Sequence, residues 1–392
     1  MTRAQLSFAS AALLLALSSS APAQVGNTAY ADLAGNQAKA RFSAAGHQLQ
    51  SPDWKEGLTV PYLPGLPATS TLAAASLWMG GEDETGGRRF AGQDGYFADM
   101  PGTDFFPGPI DPATGAAPYG RDFNRIWAVT RYDILSLLAD YEDNGLVDDP
   151  IPERLRDWPG AGNPFFEAAN GFPMPNQELA PFYDRNSNGA YEPQLGEYPV
   201  IGEQYPDVIP EQMLWWVYND VEAPHTSFPA FLPVGAEVQN LAFAFNCTDN
   251  PMLNTAIFIR HKVIKRAGGP LSDFRLGYWF APRLGCSDDD ALGCDTLLHT
   301  AYVYNFDALD GVENGCLCYG GPTFCEKTPA QAVSFLNVPM ASFLYSPYNT
   351  LWPFAGPPPL SPYANLHGLW SYDTPMSVGG DGYDPGNPAT TP

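Results

Sequence analysis

The chain has 392 residues, and its 19 Lys and Arg against 43 Asp and Glu leave a net charge of −24, which repels phosphate and excludes nucleic acid as a partner. Only 16% of the residues are charged while 45% are hydrophobic and 13% aromatic, so the acidity is not that of a disordered acidic tail. The 38 glycines and 40 prolines follow no period, which excludes collagen, disfavours a helical bundle and argues for many turns between short elements.

The first element is an export signal. Arg3 gives a positive start, Leu6 to Leu17 an apolar run that Ser18, Ser19 and Ser20 end too early for a membrane span, and Ala21-Pro22-Ala23 a small-x-small cleavage site. Residues 1–23 are therefore expected to be removed, leaving a secreted or cell-surface chain with no transmembrane span. A first β and loop region is expected over 24–135, with a strand at Leu72 to Met79 ending in Gly80-Gly81 and a short buried strand between Arg125 and Arg131. Thr130 with Asp133 three residues on forms a capping box, and Leu135, Leu138 and Ala139 give helical spacing up to about Tyr141. From 142 to 211 there is little periodicity and much Pro, Asn, Gly and Asp, too long for one connection without something to organise it, and 136–212 is expected to be a calcium-loop-rich insertion.

Beyond it, 213–392 reads as strands: Met213 to Tyr218, Glu237 to Phe245, Ala256 to Lys265, Phe274 to Phe280, Thr300 to Tyr304 and Ala332 to Leu336. In the third of these, Ile257, Ile259, His261 and Val263 fall on one face and Arg260 and Lys262 on the other, as in an antiparallel sheet with one wet side. The expected fold is mostly β: an antiparallel β-sandwich with long Gly/Pro/Asp-rich loops and a small helical, calcium-loop insertion. The six cysteines, Cys247, Cys286, Cys294, Cys316, Cys318 and Cys325, are all in the second half and read as disulfides of an oxidising compartment. Cys286 with Cys294 would close a short loop, and Cys325 could take Cys316 or Cys318. A zinc site is the weaker reading, because no C-x-x-C pair exists.

Three acidic stretches carry metal-ligand spacing. Asp184, Asn186, Asn188, Gly189 and Glu192 occupy the first, third, fifth, sixth and ninth places of a calcium loop, where alternate oxygen side chains converge and the glycine permits a sharp turn. The twelfth place is Leu195 and Glu197 follows two residues later, so the expectation is a calcium loop closed by Glu197 or by a distant carboxylate, without the flanking helices of an EF-hand, against the alternative of an Asx-rich hydrated turn. Asp140, Glu142, Asn144, Gly145 and Asp148 repeat the spacing, against the alternative of a plain helix C-cap at Gly145. Asp288, Asp289 and Asp290 with Asp295 crowd like charge between Cys286 and Cys294, where a cation would relieve it; Asp288, Asp290 and Asp295 are the expected ligands.

Catalytic motifs are missing: there is no G-x-S-x-G, H-E-x-x-H, P-loop or dinucleotide fingerprint, and only five histidines. A glycan-active hydrolase could still use a carboxylate pair drawn from Asp104, Glu211 and Glu237 beside a platform of Trp215, Trp216 and Tyr218, although strand alternation puts at least one of the two tryptophans in a core. His225, after Pro224 in a turn, reads as a surface residue, and His261 as a hydrogen-bonded core histidine.

Several stretches occur in a characteristic order: Leu77-Trp78-Met79-Gly80-Gly81, Gly102-Thr103-Asp104-Phe105-Phe106-Pro107-Gly108-Pro109, Ala180-Pro181-Phe182 leading into the Asp184 loop and Gly196-Glu197-Tyr198-Pro199, and Leu214-Trp215-Trp216-Val217-Tyr218-Asn219-Asp220. Gly293-Cys294-Asp295, Tyr302-Val303-Tyr304-Asn305 and Gly379-Gly380-Asp381-Gly382-Tyr383 continue it. With these the chain resembles the large, mostly uncharacterised surface proteins exported by type IX secretion systems. Members of that family usually run on into further modules and a carboxy-terminal sorting domain, which the residues up to Pro392 do not include, so the expectation is either a fragment or a departure from the family's pattern. Together these readings give an expectation of an exported, calcium-stabilised, non-catalytic surface or extracellular module contacting matrix, a surface protein or an extracellular glycan. The alternative is a secreted glycan-active hydrolase, with a carbohydrate-binding module between the two.

Overall fold

The structure is a computed structural model and describes residues 28–50, 57–60, 69–92, 104–226, 231–286, 289–311, 316, 323–326, 328–344 and 362–369. The export signal at 1–23, Asp288 and Cys318 lie outside the described residues. In chain order the strands are β1 (Tyr30–Leu33), β2 (Ala40–Ser43), β3 (Leu58–Thr59), β4 (Ser70–Glu82), β5 (Arg88–Ala91), β6 (Phe106–Pro107) and β7 (Trp127–Thr130), followed by helices α1 (Arg131–Asn144), α2 (Glu153–Arg156) and α3 (Phe166–Asn170). Then come β8 (Gln212–Asn219), β9 (Ala236–Ala244), β10 (Phe258–Lys265), β11 (Ser272–Pro282), β12 (Asp290–Asp295), β13 (Thr300–Asn305), β14 (Ala330–Ser334) and helix α4 (Pro362–Leu366).

The chain is mostly β and its strand pairs are antiparallel. One sheet runs β11-β4-β3, with β5 also on β4, and isolated bridges from Lys39 to Thr59 and from Gln48 to Ala75 attach the β1-β2 hairpin to it. A second sheet runs β10-β9-β8-β6, with β7 also on β8, and a third runs β12-β13-β14. The antiparallel sheets are not confined to 213–392 as expected but draw strands from along the chain, because β4 pairs with β11 and β7 with β8 across both expected boundaries.

Strand β8 shows why a continuous apolar run is needed at this place. Leu214, Trp216 and Tyr218 pack with Val238 and Ala242 of β9 against Phe42, Ala75, Leu77 and Met79 of the first sheet, forming the core between the sheets. The alternate residues Met213, Trp215 and Val217 pack on the other side against Ile134, Leu137, Leu155, Trp158, Phe166 and Tyr191 of the segment that connects β7 to β8. A strand covered on both faces gains nothing from polar alternation, and each aromatic buries roughly 150–250 Å². The middle segment is therefore the third layer of the molecule, held by its own core.

Helix α1 begins as read, with Thr130 and Asp133 capping each other, and runs three residues past Tyr141 to a left-handed Gly145 (φ 82°) whose N–H reaches the Tyr141 carbonyl. Its buried stripe is Ile134, Leu137 and the partly buried Leu138, while Leu135 is 41% exposed; the i, i+3, i+4 set that meets the sheet starts one residue earlier than expected. All six strands expected in the second half are present within two residues or so at each end. The disulfide differs: Cys286 is bonded to Cys316, not to Cys294, which sits in β12 facing Ala301 of β13. With Cys316 taken, it is not the partner of Cys325 either.

Candidate metal centre

The Asp184 loop folds into the sharp turn that Gly189 permits. Positive φ at Ser187 (60°) and Gly189 (78°) turns the chain back on itself, and at Gly189 no atom lies within 4 Å of where a Cβ would stand, so the backbone angle and not space demands glycine. Asp184 accepts the amides of Asn188 (3.2 Å) and Gly189 (2.7 Å), and Asn186 and Asn188 accept those of Asn188 (3.0 Å) and Ala190 (2.8 Å). Both asparagine amides donate to the same Glu192 oxygen, at 3.1 and 2.7 Å.

Glu197 closes the loop from below. It is fully buried and accepts the amides of Arg185 (3.0 Å) and Glu192 (2.8 Å), reaching both sides of the turn. Burial raises its pKa above the usual carboxylate value; the two amides oppose this, and the charges of Asp184 and Glu192 add to it. Three acids thus share one small loop. The oxygens of Asp184, Asn186, Asn188 and Glu197 that accept one amide keep a second lone pair, whereas Glu192 Oε2 already accepts two; these side chains could supply oxygen ligands to a hard cation, but Asp184, Glu192 and Glu197 are not among the acids whose ligand atoms lie within 4.8 Å of one another.

The second acidic stretch lies against the first. A Cβ on Gly196 would meet the Tyr141 ring at 2.6 Å, and the Arg185 guanidinium sits 4.2 Å above that ring, so the end of α1 and the Asp184 loop are packed together. There Asp140 and Asp148 converge with Asp149, a residue the spacing did not single out, with carboxylate oxygens within 4.8 Å of one another. Desolvation raises the Asp140 pKa, the Asp149 amide opposes it, and the side-chain hydrogen bond with Asp148 and the charges of Asp149 and Asp148 raise it further. Asn144 donates to Asp148 (3.1 Å) and accepts the Leu146 amide (2.8 Å), and Glu142 is outside the group and exposed. Gly145 is the helix C-cap, as the alternative reading of this stretch expected.

The third stretch does not converge as expected. Asp290 and Asp295 stand at opposite ends of the six-residue strand β12, which at about 3.3 Å per residue keeps them roughly 16 Å apart. Asp290 accepts the Leu284 amide (3.0 Å), and Asp295 accepts those of Leu297 (2.9 Å) and Leu298 (3.0 Å) as an ordinary Asx turn of the β12-β13 hairpin. Pairing with β13, invisible in the local spacing, stretches a segment that reads as a loop.

The carboxylates and rings considered for glycan chemistry are interior groups. Trp215, Trp216 and Tyr218 are at most 1% exposed, so none forms a platform. Buried Asp104 accepts the Gly92 amide (3.2 Å), and buried Glu237 accepts from Ile110 (2.8 Å) and Gln239 (2.8 Å) and lies 3.5 Å from Arg266. Glu211 is partly buried beside the β7-β8 pairing, where its carbonyl accepts the Arg131 amide (2.9 Å). His225 is 6% exposed rather than on the surface: its Nε2 donates to the Asp220 carbonyl (2.8 Å) and its Nδ1 lies 3.8 Å from Asp104. An open groove of about 450 Å³ between Ala161-Gly162 and Met174 to Glu178 carries a single carboxylate. No protein-family model, no curated protein and no solved structure matches the chain.

Proposed function

We propose that the protein is an exported, calcium-stabilised, non-catalytic module of a cell surface or extracellular matrix, in contact with a surface protein or glycan, and that it belongs with the surface proteins carried by type IX secretion. The observation that carries the reading is the Asp184 loop: five oxygen-bearing side chains linked to one turn, three of them acids, in a segment that must be fixed against β8. The Cys286–Cys316 disulfide fits an oxidising compartment. Among the described residues no helix is long and apolar enough to cross a membrane. The hydrolase reading loses its support with the burial of Trp215, Trp216, Asp104 and Glu237.

The test is a thermal melt of the full chain stripped with chelator and then given calcium. A cation at one hundred times its dissociation constant stabilises the folded state by about 2.7 kcal/mol, and the midpoint rises accordingly. Asp184→Ala is expected to remove most of that rise. A midpoint that calcium leaves in place in the wild type removes the metal from the reading, and hydrolysis of any member of a glycan panel overturns the non-catalytic assignment.

A further inference from the structure

A different pair of acids, about a hundred residues along the chain from the Asp184 loop, forms an ion pair with no described lysine, arginine or histidine. Asp310 is fully buried and Asp289 is 9% exposed, and a carboxylate oxygen of each lies within 4.8 Å of the other and of Cys286 Sγ. The sulfur is committed to the bond with Cys316, which leaves oxygen as the only ligand chemistry. Asp310 accepts the amides of Cys286 (2.8 Å) and Phe324, and Asp289 Oδ2 accepts that of Gly311 (2.8 Å). These bonds tie the segments before β12, after β13 and before β14 to one point.

Two features separate this point from an ordinary acidic turn. Asp289 Oδ1 is closed to solvent and has no hydrogen-bond partner, whereas buried polar atoms in folded proteins are generally satisfied. Among the described residues no lysine, arginine or histidine forms an ion pair with Asp289 or Asp310. Adjacent buried negative charges without a counter-charge do not persist in a folded protein; either a proton or a cation joins them.

We infer that Asp289 and Asp310 form a site for a hard divalent cation of the calcium class, with Asp289 Oδ1 as its open ligand. The remaining lone pairs of Asp310 and Asp289 Oδ2 serve the same ion, and main-chain carbonyls and water complete a coordination shell of six to eight oxygens. The ion and the Cys286–Cys316 bond together fix the entry to the third sheet, which has little core of its own. This site does not depend on the Asp184 loop.

Hydrogen exchange read by peptide separates the two. The disulfide-intact full chain is stripped with chelator and measured with and without calcium, following peptides from 284–311 and from 183–200. Calcium is expected to slow exchange in 284–311 at least tenfold, and Asp289→Asn is expected to abolish that slowing while leaving any change in 183–200 as it is in the wild type. Asp184→Ala is expected to keep the effect in 284–311. Equal exchange of 284–311 with and without calcium in the wild type means that a shared proton joins the acids and overturns the proposal. An effect that survives Asp289→Asn, or that is lost in Asp184→Ala, overturns it equally.

Discussion

His261 shows how much chemistry one position can be assigned. Its neighbour Asn240 donates its amide to the carbonyls of Val238 (2.9 Å) and Trp216 (3.3 Å), which fixes the Asn240 oxygen as the acceptor for His261 Nδ1 (2.7 Å). Nδ1 is therefore the protonated nitrogen, and burial pushes the pKa down to about 4, so the ring is neutral at ordinary pH. His47 is driven to about 4 by the same cause. A histidine whose folded pKa lies below its unfolded value of about 6.5 contributes stability that is complete above 6.5 and lost as pH falls toward 4, on the order of 3 kcal/mol at most for each ring. Asp157 acts oppositely, since burial raises its pKa to about 6 and its contribution is lost as pH rises from about 4 to 6. Urea denaturation of His261→Gln at pH 7 and pH 4.5 is expected to show a smaller acid loss than the wild type; an equal loss would mean that the ring does not titrate in this range. The alternation of Ile257, Ile259, His261 and Val263 made the position legible as core. The burial of His225 was not, because Pro224 and its turn signalled surface while part of the cover comes from Asp104, distant in sequence.

Among the elements, β12 and the disulfide beside it depart furthest from local reading. A segment with Asp at both ends, Gly293 inside and a cysteine at 294 has no strand pattern, and it becomes one because Ala291, Leu292 and Cys294 lie opposite Tyr304, Val303 and Ala301 of β13. The same pairing draws Cys294 away from Cys286, whose partner is 30 residues along the chain. Closing a loop of that length removes roughly 3–4 kcal/mol of chain entropy from the unfolded state. The double variant Cys286→Ser, Cys316→Ser is expected to lose about that much in chemical denaturation, and a loss below about 1 kcal/mol would show that the acid cluster holds the region without it. Helix α1 is the contrary case: the Thr130 box and the Gly145 cap are interactions within a few residues, so the sequence displayed both ends.

For the whole molecule, the two tryptophans of β8 divide the energetics. Trp216 belongs to the core between the sheets and meets Phe42 in a tilted contact at 5.2 Å, whereas Trp215 meets Trp127 at 5.6 Å in the core of the middle segment. Truncating a buried tryptophan typically costs about 3–5 kcal/mol. Trp215→Ala is expected to loosen the layer between β7 and β8, so that limited proteolysis cuts within 131–211 before it reaches the sheets, and Trp216→Ala to expose both sheets together. Identical cleavage patterns for the two variants would show that the layers unfold as one unit.

By itself the sequence determined the β class, the helix with its caps, six strand positions and the turn that gathers Asp184, Asn186, Asn188 and Glu192, since each depends on side chains within a dozen residues of one another. Only the tertiary structure decided that β4 and β11 share a sheet, that β8 is buried on both faces, that Asp149 joins Asp140 and Asp148, and that Asp289 meets Asp310. Those are partners brought together by long-range pairing and by the exclusion of water between layers, and no spacing along the chain records which distant surface will cover which.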